Sequence, residues 1–256
     1  MSAELATAVD PAAGPQPLLV YGVVRSADTG ADRLDGLAAE LVDAGGLAAV
    51  VGEVDPGRMR VRRADLLEYN SVLDTLAGRG PVVPVRFGSV LPDREAVAEF
   101  LTQQRDQLAA ALDHLTGRRQ YNLRVSYVEE VVLAELVAED PEIRELRART
   151  VAAPGPASYG DRVRLGELVA RALENWSVQD GQALLARIAP DVAAYRVRST
   201  SSATQVLDVA LLIDDARAEE VVDRLEDLAR EHRDSLRMRL VGPLAAHDFA
   251  KDAGWA

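Results

Sequence analysis

The chain has 256 residues and a net charge of −12, with 41 acidic side chains against 29 basic ones. That balance repels a phosphate backbone or an anionic bilayer surface, which argues against nucleic acid as a partner. No cysteine occurs, so disulfides, thiolate metal sites and cysteine nucleophiles are excluded and a reducing compartment fits.

Apolar residues make up 48% and charged residues 27%, the composition of a folded globular protein, and the length suits two domains of common size. Residues 1–17 hold Pro11, Pro15 and Pro17 among alanines and one glycine without a periodic pattern, and predict a mobile tail. They carry neither the basic nor the apolar part of a secretory signal. Apolar runs fall far short of the roughly 20 residues that span a bilayer, so a cytoplasmic protein without membrane insertion is expected.

Leu18 to Val24 (LLVYGVV) and Leu47 to Val54 (LAAVVGEV) read as buried strands, the second preceded by a Gly45-Gly46 turn. Leu66, Leu67, Leu73 and Leu76 recur at helical spacing between Arg63 and Leu76, and Gly78 and Gly80-Pro81 end that helix. Val82 to Phe87 (VVPVRF) follows as a strand, placed at a sheet edge by Pro84, which cannot donate to a ladder. Asp93 caps a second helix running to Leu115. Tyr121 to Val128 alternates polar and apolar residues as a half-buried strand does. The mixed order with short connections predicts an α+β fold whose N-terminal domain, residues 18–130, is a ferredoxin-like sandwich.

Asp140-Pro141-Glu142 has the order of a helix start, and Pro154-Gly155-Pro156 marks a linker at 150–160. Helical spacing resumes from Asp161 to Ile188, with an interruption expected near Gly181. Tyr195 to Arg198 and Val206 to Ile213 read as a hairpin. A helix from Asp215 to His232 follows, its start capped by Asp214 and Asp215, with Glu220–Arg224 and Glu226–Arg230 pairs on its surface. Leu236 to Val241 closes a C-terminal domain, residues 131–243, of helices with a small antiparallel sheet. Residues 244–256 read as a tail.

The chemistry-bearing residues do not compose a catalytic site. His114, His232 and His247 lie far apart without ligand spacing, so no metal is expected. No GxGxxG, P-loop or GxSxG pattern occurs, so no cofactor is expected. Arg58, Arg60, Arg62 and Arg63 form the one dense basic run, suited either to an acidic partner or to a solvated loop entering a helix. A protein that is not an enzyme is the expectation.

Four segments in order resemble one known family: YGVV at Tyr21 to Val24, GGLAAVVGEV at Gly45 to Val54, DLLEYNSVLDTL running into GPVVPVRFGSV between Asp65 and Val90, and VLDVALLI with LRMRLVGP near the C-terminus. That is the pattern of the GvpF/GvpL gas vesicle proteins, with VPVRFGSV its most specific piece and YGDRVRLGELVA at Tyr159 to Ala170 closer to GvpF. The chain departs from it near Tyr69, where family members commonly carry a histidine, and at its end. There GPLAAHDF replaces an aromatic, proline-rich GPWPPYSF-like ending and retains only Gly242, Pro243 and Phe249. The resemblance implies a non-enzymatic accessory protein of gas vesicle assembly, associated with the vesicle, that contacts the shell protein GvpA and other accessory proteins. Arg86 and Phe87 of the specific segment, Arg62 and Arg63, and Phe249 are the candidate partner-binding residues. The competing expectation is a regulatory protein binding a small molecule between ferredoxin-like domains.

Overall fold

Gly45 and Gly46 both take positive φ, 62° and 85°, as a two-residue hairpin turn requires. They join β2 (Glu40–Ala44) to β3 (Leu47–Glu53) in a computed structural model that describes residues 16–30, 34–54, 62–152, 155, 158–199 and 202–250. The predicted tail therefore lies outside the described residues except for Gln16 and Pro17, as do Arg58 and Arg60 of the basic run and the chain end from Lys251. β2 is a strand the sequence pattern did not announce: it has five residues, of which only Val42 is buried.

By contact, the described residues up to Thr116 and Ala245–Ala250 form one compact unit, and Gly117–Leu244 form the other. This differs from the division expected after residue 130. The strand β6 (Arg118–Tyr127) pairs with β8 (Gln205–Asp214) and β9 (Leu236–Leu244) of the second unit. Its alternation showed that it was a strand, but alternation does not name a partner.

In the first unit the sheet order is β2-β3-β1-β4, all antiparallel, with β1 spanning Leu18–Arg25 and β4 only Val83–Pro84. Pro84 thus sits on an edge strand, as its missing N–H requires. β5 (Val90–Leu91) also pairs with β1. The helix α1 (Arg63–Arg79) brings Tyr69, Val72, Leu73 and Leu76 to Tyr21, Val24, Ala48 and Val50. The expected single helix 93–115 divides at Gln104 into α2 (Arg94–Gln103) and α3 (Arg105–Leu115), which pack on the strands with Val97, Leu101, Leu108 and Leu112 fully buried. Near-complete burial along β1 and β3 reflects cover on both faces.

In the second unit the order is β7-β8-β6-β9, again antiparallel, with β7 at Ala194–Val197. Numbered within its own unit, each sheet places its second, third, first and fourth strands side by side, which is the ferredoxin-like βαββαβ arrangement. The dressing differs. The first crossover of the first unit has a 3₁₀ turn at Ser26–Asp28, whereas that of the second unit carries α4 (Glu129–Glu139), α5 (Pro141–Ala152) and α6 (Tyr159–Ile188). The second crossovers are α1 and α7 (Ala218–Glu231).

Local signals were borne out unevenly. Asp93 accepts from the Ala96 N–H at 2.8 Å and Asp140 from the Glu142 N–H at 2.8 Å, so both cap as expected. Asp214 and Asp215 do not cap α7; they pair with Arg118 at 2.8 Å and Arg119 at 3.0 Å, because β6 and β8 run side by side there. Arg224 lies 3.8 Å from Glu220, but Arg230 pairs with Asp227 rather than Glu226.

α6 runs unbroken through Gly181, contrary to the expected interruption. The glycine is there for proximity: a Cβ on it would stand 2.7 Å from the Val206 carbonyl oxygen of β8. Gly181→Ala should therefore lower stability by about 1–3 kcal/mol, since a backbone oxygen cannot swing aside. The measurement is the urea midpoint, and an unchanged value would show that α6 can lift from β8 without cost.

Candidate partner-binding site

The VPVRFGSV segment is built onto β1. Val83 and Pro84 pair with Val23 and Gly22, and the Val85 N–H donates to the Tyr21 carbonyl at 3.0 Å. The chain then reverses: the Ser89 N–H donates to the Arg86 carbonyl at 3.1 Å across a tight turn, with Gly88 at φ 85°. A positive φ at that position suits glycine. The returning Ser89 carbonyl accepts from the Val20 N–H at 2.9 Å before β5 rejoins β1. Gly22 is required by the same closeness, because a Cβ there would stand 2.9 Å from both Val82 Cγ2 and the Val83 oxygen.

Two of the four segments that carry the family resemblance converge here. Tyr21 of YGVV stacks on Tyr69 of DLLEYN with ring centroids 5.4 Å apart, and Phe87 of the turn meets Tyr69 edge-on at 5.0 Å. The Tyr69 hydroxyl lies between two backbone carbonyls, those of Tyr21, at 3.0 Å, and of Val85. Its one proton holds α1 to the β1–β4 edge. Burial pushes the Tyr69 hydroxyl above the ordinary tyrosine range, with the neighbouring Tyr21 adding to the shift. Tyr21 is raised too, by burial first and then by Glu68. The sequence offered Tyr21 and Tyr69 only as members of separate motifs; nothing in their spacing of 48 residues announces a stack.

Strict strand alternation would send Val82 and Pro84 with Arg86 to one side and Val83 and Val85 with Phe87 to the other. Instead Val82 through Val85 are all buried, the regular ladder ends at Pro84, and the turn separates Arg86 from Phe87. Phe87 is half-buried against Tyr69, while Arg86 is exposed and its guanidinium makes no ion pair or hydrogen bond with any described residue. Arg62 and Arg63 are exposed at the start of α1, where the Arg62 N–H donates to Asp65 Oδ2 at 2.8 Å.

Phe249 is placed otherwise than a surface contact. It is 3% exposed on α8 (His247–Ala250), within the segment expected to be a tail. That segment returns to the first unit, and the Ala245 N–H donates to Asp74 Oδ1 of α1 at 2.9 Å. Apolar Ala245, Ala246, Phe249 and Ala250 are all buried, so this ending is core material, with too short a period to be recognised in sequence. Among the described residues no group of His, Asp and Glu side chains is arranged to hold a metal, and no helix is long and apolar enough to cross a membrane.

Two measurements test the aromatic cluster. Tyr69→Phe keeps the ring contacts but leaves the Val85 carbonyl without its hydroxyl donor, and should cost about 1–3 kcal/mol in urea unfolding. Alkaline pH should also destabilise the native state: an unfolded tyrosine ionises near pH 10, whereas Tyr21, Tyr69 and Tyr127 stay protonated above it when folded. Their contribution is complete below about pH 10 and is lost as pH rises towards the native pKa values. A urea midpoint that does not fall between pH 9 and pH 11 would contradict this.

The family model described as gas vesicle synthesis protein GvpL/GvpF matches residues 17–251. Gas vesicle protein F of Streptomyces sp. (strain CB03234) is 30% identical over 239 residues, covering 91% of this chain and 98% of the relative. Gas vesicle protein L of the same strain is 27% identical, covering 90% and 91%. Among solved structures, the crystal structure of GvpF from Anabaena sp. PCC7120 superposes with a TM-score of 0.73 at 18% identity, covering 92% of this chain and 98% of that one. GvpF from Microcystis aeruginosa gives 0.69, also at 18% identity, with 91% and 98% covered. The family match extends over both units, and the chain belongs to the GvpL/GvpF family of gas vesicle synthesis proteins.

Proposed function

We propose that the protein is a non-enzymatic accessory factor of gas vesicle assembly, acting in the cytoplasm and at the growing vesicle, where it binds the shell protein GvpA and other accessory proteins. The observation that carries this reading is the family match across residues 17–251, which spans both units rather than one shared module. A shell subunit with an apolar gas-facing side aggregates in water unless it is held. A carrier of net charge −12 keeps such a complex dispersed through self-repulsion.

Contact is assigned to the turn after β4. Arg86 projects from a backbone that Gly22, Gly88 and the Tyr69 hydroxyl hold fixed. A guanidinium without a described partner on a rigid turn is ready for a carboxylate, since little further ordering is needed on binding. Arg62 and Arg63 add positive charge at the start of α1. Phe87 supports the turn from within, and Phe249, buried as it is, has no part in the contact.

Co-purification of GvpA with the full-length chain, together with vesicle yield in a deletion strain, tests the reading. Capture of GvpA and loss of vesicles on deletion are expected. Arg86→Ala should leave the unfolding free energy within about 0.5 kcal/mol of the parent, as an exposed substitution does, and reduce GvpA capture. Undiminished capture by that folded variant would remove Arg86 from the contact.

A further inference from the structure

β9 closes one side of the second sheet, and no described strand pairs with its outer edge. The Val128 N–H donates to the Ser235 carbonyl at 2.8 Å, and the ladder continues in step from Tyr127 opposite Leu236 to Asn122 opposite Val241. Bonded and non-bonded pairs alternate along an antiparallel ladder. Arg237 and Arg239 therefore turn their backbone N–H and C=O groups towards β6, while Met238 and Leu240 turn theirs outwards. A nine-residue strand with such an edge is a ready template for a further strand.

The two faces of β9 differ in chemistry. Met238 and Leu240 are half-buried against the core beneath the helices, whereas Arg237 and Arg239 are exposed on the opposite face. Arg239 lies directly opposite Arg124 of β6, and like charges so placed disfavour the pairing. Asp208 is occupied with other arginines: its Oδ2 accepts from Arg124 Nε at 3.1 Å and Nη2 at 2.9 Å, and its Oδ1 from Arg198 Nη1 at 3.3 Å. Arg237 Nη1 donates to the neutral Arg233 carbonyl at 2.6 Å. The Arg239 guanidinium has no hydrogen bond or ion pair with any described residue. In a chain of net charge −12, this edge carries positive charge that no described carboxylate meets.

We infer that the outer edge of β9 docks an extended acidic segment of another protein, in which carboxylate and apolar side chains alternate. Added beside β9, such a segment pairs its backbone with that of Met238 and Leu240. The period of two then sets its carboxylates beside Arg237 and Arg239 and its apolar residues beside the Met238 and Leu240 side chains. Charge complementarity selects this occupant over two others. A phosphate polymer has no backbone N–H to offer the outward carbonyls, and the net charge of the chain repels it. A second copy of β9 would bring these arginines against their own copies. Arginines on an edge also deter indiscriminate pairing, so the same side chains that admit an acidic strand turn others away. The contact is separate from the Arg86 turn and does not depend on GvpA being a partner.

The test is fluorescence anisotropy of a labelled peptide of about ten residues, the length of a long strand, with glutamate alternating with valine and threonine, titrated with the full-length chain. Saturable binding is expected. It should weaken by about tenfold or more when salt rises from about 0.1 M to about 1 M, which shortens the Debye length from about 10 Å to about 3 Å. The same peptide with lysine at the glutamate positions should not bind. Arg237→Glu combined with Arg239→Glu, at two exposed positions, should keep the melting temperature and cut affinity by about tenfold or more. Met238→Pro removes an outward N–H and none that bonds to β6, so it should weaken binding by about tenfold with every charge in place. If the proline variant fails to fold, the arginine variant and the lysine peptide still decide. No saturable binding of the glutamate peptide, equal binding of the lysine peptide, or undiminished binding by either folded variant overturns the inference.

Discussion

One hydroxyl holds much of the first unit in register. Tyr69 projects from α1 into the space between the carbonyls of Tyr21 and Val85, and its ring fills the interval between Tyr21 and Phe87. A phenol suits this place because it combines a large apolar body with one donor at its tip. Helix, central strand and edge strand are tied at one point, and the reversal at Arg86 to Ser89 inherits its position from that tie. The glycines around it follow: Gly22 lets the edge approach β1, and Gly88 lets the chain turn back.

The two units solve the same topological problem with different material. Both sheets place a hairpin-joined pair beside the first strand and finish with a fourth strand on its far side. The first unit shortens its first crossover to a 3₁₀ turn and loop, and covers its sheet with α2 and α3 supplied afterwards. The second expands the same crossover into three helices, of which α6 is far longer than the sheet beneath it requires. α6 packs against α5 and α4 as well as β8, so its apolar stripe is shared between the sheet and the two helices before it.

Charge is distributed with a similar economy. Arginines are largely consumed in pairs inside each unit, among them Arg118–Asp214 and Arg119–Asp215 at the end of β6, and Arg124 and Arg198 on the buried carboxylate of Asp208. The exposed pairs among them contribute little to stability. Arg86 is one of several exposed arginines without an ion pair among the described residues, Arg63, Arg105, Arg171 and Arg239 being others.

The sequence by itself determined the fold class and the family. β-rich runs around Val23, Val50 and Val209, helical spacing in α1, α3 and α7, and the caps at Asp93 and Asp140 are local signals, written by side-chain period and backbone hydrogen-bonding need. Motif order through VPVRFGSV was enough to recognise the family. Tertiary structure alone decided what depends on distant partners. It placed β6 in the second sheet, revealed β2, gave Asp214 and Asp215 to arginines instead of a helix end, and turned the supposed tail with Phe249 into core. It also assembled Tyr21, Tyr69 and Phe87 and left Arg86 outside them. These outcomes turn on which surfaces meet, and pairing between residues tens of positions apart leaves no period in the chain from which it could be read.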